Sequence, residues 1–229
     1  MTPGAFAGRH VVITGGDGAL GAAVVQAFLE AGASCHLPVH GTGEALKGGQ
    51  VTPHVDLSDD GAVTQYYAGL PPLSASVHLA GGFSAKPIAE TSRADFERQL
   101  LLNLATAFLC SREAVKAFRK RGGGGGGRIV NVAARVVEQP VPGMVAYTVS
   151  KAGVAALTRS LAAEVRDEGI LVNAVLPSII DTPANRAAMP DAKTERWPKP
   201  AQLAPAILWL ASEENQLTSG ALIPVYGRA

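Results

Sequence analysis

The sequence predicts an α/β fold built on a parallel sheet, and three observations predict it. Short β-branched runs alternate with helical stretches, the pattern of successive β-α-β units. The first strand, His10-Val-Val-Ile-Thr14, is a continuous apolar run, as a strand buried on both faces requires. A glycine-rich turn follows it at once and opens directly into a helix.

Taken in order, strand His10–Thr14 leads into a helix over Leu20–Ala31 and then strand Ser34–Val39. Strand Val51–Val55 is joined to it by Gly41–Gln50, which is too short and glycine-rich for a helix. A helix over Gly61–Ala68, strand Ser76–Leu79 and one long helix over Ala94–Arg121 come next. Strand Arg128–Val132, helix Val145–Asp167, strand Leu171–Leu176, helix Ala201–Ala211 and strand Ala221–Val225 complete the pattern. Gly122–Gly127 is low in complexity, but it follows a helix ending Arg119-Lys120-Arg121 and precedes a strand. That is the reverse of a phosphate loop, so it reads as a flexible turn after a cationic helix end.

Composition narrows the class. The 229 residues carry Lys+Arg 20 against Asp+Glu 19, a formal net charge of +1, with 47% hydrophobic residues. One domain with a sizeable core is expected, and disorder is not. A balanced charge speaks against nucleic acid or an anionic membrane surface as partner. With no basic-then-apolar leader and no apolar run near eighteen residues, the expected setting is cytoplasmic. Cys35 and Cys110 read as buried free thiols. The five histidines (His10, His36, His40, His54, His78) show no ligand spacing, so no metal is expected. His36 and His78 read as satisfied core or lining residues, and Trp197 and Trp209 as packing anchors.

The turn Thr14-Gly15-Gly16-Asp17-Gly18-Ala19-Leu20-Gly21 carries the first chemical signal. Glycines let a backbone approach a pyrophosphate, and the helix N-terminus behind them offers amide N–H groups and a positive dipole end. In another context the same residues make only a tight turn. Between the first strand and first helix of a parallel pattern, they point to a dinucleotide. At the end of the second strand stands Pro38-Val39-His40, with no acid for a ribose 2′-hydroxyl and with His40 within reach of a 2′-phosphate. Asp17 works the other way if it faces that phosphate. The cofactor expected is NADP or NAD, with NADP slightly favoured. Asp56 is placed either to accept from an adenine amino group or to cap a helix with Ser58.

Tyr147 and Lys151, four apart, share one helical face. A nearby ammonium favours tyrosinate, so the pair predicts a phenol lowered towards neutrality and able to move a proton.

Together with Ala80-Gly81, Asn103 and Asn173-Ala174-Val175-Leu176-Pro177 followed by Thr182, these residues resemble the short-chain dehydrogenase/reductase family over nearly the whole chain. The resemblance implies a doubly wound parallel sheet of seven strands (a Rossmann fold) in a single domain, residues 1–229, with residues 178–200 covering the substrate. It implies Tyr147 as general acid/base, Lys151 on the nicotinamide ribose, and Asn103 holding a water in a proton relay. Gly15, Asp17, Ala19, Leu20, Gly21, His40, Asp56, Ala80, Gly81, Tyr147, Lys151, Pro177, Ile180 and Thr182 would meet the cofactor, the backbone near Ile180 facing the carboxamide. It further implies a homodimer or homotetramer paired through the helices at 94–121 and 145–167.

This chain departs from the family pattern in places. Ala19 replaces the turn's second glycine, and Leu79 stands where many members have asparagine. The serine expected thirteen residues before Tyr147 is Ala134, and no serine occurs between Ser111 and Ser150. A carbonyl substrate thereby loses one donor, which costs an ordinary ketone reductase about 2–4 kcal/mol at the transition state. Ala80-Gly81-Gly82-Phe83, Pro142-Gly143-Met144 and Asp181-Thr182-Pro183-Ala184-Asn185-Arg186, with the alanine at 134, resemble the dihydropteridine reductase branch. There hydride goes to an electron-poor conjugated ring, a quinonoid dihydropterin, and no alkoxide develops. Asn103, Val39 and Asp17 depart from that branch. The expected function is an NAD(P)H-dependent oxidoreductase acting on a carbonyl or such a ring; the alternative is a non-catalytic NAD(P)-binding sensor. The retained Tyr147, Lys151 and Asn103 argue against the sensor.

Overall fold

A computed structural model describes residues 4–44, 46–121 and 126–229. Among them, seven strands form one sheet: β1 (His10–Thr14), β2 (Ser34–Pro38), β3 (Gln50–Thr52), β4 (Leu73–His78), β5 (Gly127–Val132), β6 (Ile170–Pro177) and β7 (Leu222–Val225). All pair in parallel, in the order β3-β2-β1-β4-β5-β6-β7. The chain runs outward from β1 to β3, returns to β4 beside β1, and runs outward the other way. The doubly wound expectation holds. Such a sheet opens a crevice at the carboxyl ends of its strands where the order reverses, here between β1 and β4.

Seven α-helices flank the sheet: α1 (Ala19–Glu30), α2 (Asp60–Ala68), α3 (Arg93–Gln99), α4 (Thr106–Lys120), α5 (Val145–Glu164), α6 (Pro183–Ala188) and α7 (Pro200–Ala211), counted among the described residues. Val11 and Ile13 face one layer, where Val24, Val25 and Phe28 of α1 meet Ala204, Ile207 and Leu208 of α7. Val12 faces the other, with Val63 and Tyr67 of α2, Leu109 and Phe118 of α4 and Ala162 of α5. A strand whose successive side chains enter two cores has to be apolar throughout, and β1 is.

Several boundaries move. The single helix expected over 94–121 is α3, then a π-helical segment over 100–105, then α4. The widened turn carries Asn103 inward, where it is buried, while Leu101 is exposed. β3 ends at Thr52 instead of Val55, because His54 takes a left-handed backbone (φ 59°) that no strand accommodates. β4 starts at Leu73, directly after Pro71-Pro72. The short α6 was not anticipated. It is started by Thr182, whose hydroxyl accepts from the Asn185 N–H at 3.2 Å, and by Pro183 at its first position.

Of the expected Gly122–Gly127 turn, residues 122–125 lie outside the described residues, and Gly127 already belongs to β5. Cys35 and Cys110 are buried free thiols, each pushed up to about 12 by burial. Trp197 is buried, but Trp209 is not a buried anchor; it lies exposed on α7, whose core face is taken by Leu203, Ile207 and Leu210. Among the described residues no helix is long and apolar enough to cross a membrane, and no three His, Cys, Asp or Glu side chains group as for a metal ion.

Candidate active site

The turn after β1 is built by close approach. Gly15 has φ 65°, and a Cβ there would sit 2.7 Å from the Ala80 nitrogen at the end of β4. A Cβ on Gly21 would collide with the Gly15 carbonyl oxygen. Gly18 takes the N-cap position of α1 with no side-chain acceptor, and no acid stands in the first helical turn. The helix therefore starts at Ala19 and Leu20 with its positive end open beside exposed Asp17, Gly18 and Ala19. This arrangement fits a pyrophosphate, and Ala19 is tolerated because its position needs no left-handed backbone.

At the end of β2, Val39 is buried and His40 exposed. Asp56 is exposed and accepts from both the N–H (2.8 Å) and the hydroxyl (2.7 Å) of Ser58. These bonds, and His40 nearby, hold its carboxyl below the usual range. The cap of α2 is not Asp56 but Asp59, which accepts from the Ala62 N–H at 2.7 Å.

Asn103 closes the crevice on the β4 side. Its Oδ1 accepts from the Gly82 N–H at 3.1 Å, and its Nδ2 donates to the Gly82 carbonyl at 2.9 Å. Gln99 and Ser150 also accept from Nδ2, at 3.2 Å for both the Gln99 carbonyl and the Ser150 hydroxyl. The side chain is thus a clamp on the Ala80-Gly81-Gly82 loop, with its donor and acceptor sides both engaged. A Cβ on Gly81 would lie 2.6 Å from Asn103 Oδ1 and 3.5 Å from Lys151 Nζ, so this loop is threaded between the two. Gln99 and Ser150 were not singled out from the sequence. Gln99 had a visible signal, four residues before Asn103 on one helix, and Ser150 had none.

Lys151 is buried and donates to the Val132 carbonyl at 2.9 Å, with Nζ 5.9 Å from the Tyr147 ring centroid. Burial pushes the ammonium down to about 8 and the Tyr147 phenol up to about 12. The expectation of a phenol lowered by its lysine is therefore corrected: at this separation, with the ammonium turned to a carbonyl, desolvation wins. Phe83, 60% exposed, meets the Tyr147 ring edge-on at 5.0 Å between centroids. Ala134 is buried at the start of the loop after β5. On the β6 side, Pro177 is buried at the strand's end, the Ile180 carbonyl accepts from Asn185 Nδ2 at 2.8 Å, and Thr182 caps α6. Thr182 accepts in that bond and keeps its own hydroxyl hydrogen to donate.

An open helix end at the crevice, together with a buried lysine beside a tyrosine, offers the groups that a dinucleotide-dependent proton transfer would need. Comparison with known proteins agrees. The family model for short chain dehydrogenase matches residues 9–193, and the chain belongs to the short-chain dehydrogenase/reductase family, whose members are NAD(P)-dependent oxidoreductases. It is 34% identical to galactitol 2-dehydrogenase of Rhizobium johnstonii, over 95% of this chain and 93% of that one. It is 28% identical to carbonyl reductase [NADPH] 2 of Sus scrofa, over 95% of each chain. A crystal structure of a dehydrogenase/reductase from Sinorhizobium meliloti superposes with a TM-score of 0.84 at 28% identity, covering 99% of this chain and 96% of that one.

Proposed function

We propose that this protein is a reductase that takes hydride from NAD(P)H, with NADPH preferred, and delivers it to an electron-poor conjugated ring. Ala134 carries this reading. Where a carbonyl oxygen would need a hydroxyl donor the chain offers a buried methyl, so the site favours an acceptor on which no full oxyanion develops. Phe83 adds to it with an exposed aromatic face beside Tyr147, suited to a flat ring such as a quinonoid dihydropterin. NADPH is favoured by the absence of an acid at Val39, by exposed His40, and by the likeness to a carbonyl reductase named for NADPH.

In the mechanism, a bound reduced nicotinamide supplies the hydride. The amides at Ala19 and Leu20 would hold the pyrophosphate, and Thr182 would offer its hydroxyl hydrogen at the nicotinamide end. Lys151, fixed by the Val132 carbonyl, places an ammonium in the crevice to hold the ribose. Tyr147, protonated throughout the neutral range, donates from its hydroxyl to the reduced acceptor. Asn103 keeps the Gly81–Gly82 loop at the distance this requires; with its side chain engaged, any water it holds falls to its backbone.

We also place the enzyme in a reducing cytosol as a dimer or tetramer. Two buried thiols that form no disulfide support the compartment. Exposed Leu101 in the π-helical segment and Phe108 in α4, with Val145 and Val149 of α5, give these helices apolar faces suited to a second copy. Following absorbance of the reduced nicotinamide with quinonoid dihydropterin, quinones and simple ketones, under both cofactors, tests the reading. The ring substrates and NADPH should give the highest kcat/KM. Turnover confined to simple ketones would overturn it.

A further inference from the structure

The segment Tyr226–Ala229, after β7, holds together three pieces of chain that surround the crevice. The first is the loop after β5. There Arg135 follows Ala134 directly, lies 5.2 Å over the Tyr226 ring, and donates from Nη1 to the Ala229 backbone oxygen at 2.5 Å. Its Nε is fixed by Gln139 Oε1 at 2.7 Å. Tyr226 in turn donates its hydroxyl to Glu138 Oε2 at 2.8 Å. The second piece is the loop after β6, where the Ser178 hydroxyl donates to the Tyr226 carbonyl at 2.8 Å. The third is the stretch before α7. Arg196 Nε donates to the Arg228 carbonyl at 2.9 Å, and the Arg228 N–H returns a bond to the Arg196 carbonyl at 3.2 Å. The second and third pieces are themselves joined where the Asp181 N–H donates to the Pro198 carbonyl at 2.9 Å.

We propose that Arg135 is a positioning residue: through Tyr226–Ala229 it locks the loop bearing Ala134 to the segment that covers the substrate, and so fixes the width of the substrate opening. The cation–π stack, the bond to Ala229 and the Tyr226–Glu138 bond bridge parts of the chain about ninety residues apart, and each crosses from the β5 loop to Tyr226–Ala229. A loop held by one such contact would breathe, whereas three contacts plus the Ser178 and Arg196 bonds leave the walls one arrangement. Among the described residues Tyr226–Ala229 makes no hydrogen bond to Tyr147 or Lys151, so it acts on where the substrate sits and leaves the proton donor alone. The catalytic consequence rests on the reductase reading above, but the mechanical one does not.

The test is amide hydrogen exchange on the full chain, paired with kinetics using phenanthrenequinone as a flat probe. Arg135→Ala should speed exchange of peptides spanning 178–182 and 194–198 about tenfold, leaving those from β1 and α1 unchanged. KM for the probe should rise several-fold more than kcat falls, and Arg135→Lys, which keeps the charge but not the planar stack, should recover only part. Glu138→Ala and Tyr226→Phe remove the same bond, so each should give a smaller rise and the double variant no more than either. These two keep the test alive if Arg135→Ala does not fold. Unchanged exchange in the covering segment in all these variants would overturn the proposal. So would a rise spread evenly over the whole sheet, which marks a merely structural role. Failure of the wild type to turn over any probe would sink the reductase reading, while the exchange rates would still decide the strap.

Discussion

Burial moves Tyr147 and Lys151 in opposite directions on the pH scale. Desolvation opposes tyrosinate and ammonium alike, so the phenol rises to about 12 and the ammonium falls to about 8. The group that titrates near neutrality is therefore the lysine. Lys151 is charged below about pH 8, and cofactor affinity and turnover should both decline as pH rises through that value. A pH profile of kcat/KM alongside fluorescence titration of NADPH checks this, and a profile flat to pH 10 would contradict it. If the phenol moves a proton and does not anchor the nucleotide, as proposed, Tyr147→Phe should abolish most turnover while leaving NADPH affinity nearly unchanged. Isothermal titration beside the rate assay separates the two effects.

Among the elements, the turn between β1 and α1 is the least forgiving. Gly21→Ala places a methyl against the Gly15 carbonyl, so the turn has to open. Overpacking of this kind costs about 1–3 kcal/mol and moves the amides away from the pyrophosphate. Thermal unfolding should show a lower Tm, and NADPH affinity should fall at least tenfold by titration. This element was legible in the sequence because its glycines sit between a strand and a helix. So were the strands, since β1 reads as a continuous apolar run and β5 and β6 as short β-branched ones. The π-helical segment at 100–105 was not legible: Leu100-Leu101-Leu102-Asn103-Leu104 suits an α-helix by local preference, and only tertiary bonds from Asn103 to Gly82 widen the turn. The Arg135–Tyr226 contact was equally hidden, because nothing local connects residues so far apart.

For the whole molecule, the buried polar chain across the sheet matters most. Tyr67 bonds to Ser76 at 2.8 Å, Ser76 to His78 at 2.9 Å, His78 to Asn131 at 2.8 Å, and Asn131 to Thr158 at 3.0 Å. His78 is fully satisfied as a neutral ring, as its place in a strand suggested, and burial pushes it down to about 4. Unfolding returns it to about 6.5, so below that pH the unfolded chain binds a proton that the folded one refuses. Stability should therefore fall as pH drops from about 6.5 to about 4, by on the order of 3 kcal/mol from this group. Denaturant melts across that range should show the slope, and His78→Gln should flatten it. The pairing of Lys151 with Tyr147 was legible from their spacing but its electrostatics were not, since spacing does not reveal that the ammonium turns to Val132.

If the proposed ring acceptor is right, Ala134→Ser should separate ring substrates from simple ketones. In the proposed reading the new hydroxyl would meet the oxygen of a reacting carbonyl. A well-aimed donor is worth about 2–4 kcal/mol, and one added to an unadapted loop about 1 kcal/mol. Measured in one preparation, kcat/KM for a simple ketone should rise several-fold, while that for a quinonoid ring should stay level or fall. Strong ketone reduction by the wild type that Ala134→Ser leaves unaltered would contradict the account, because some other group would already be filling the serine's place.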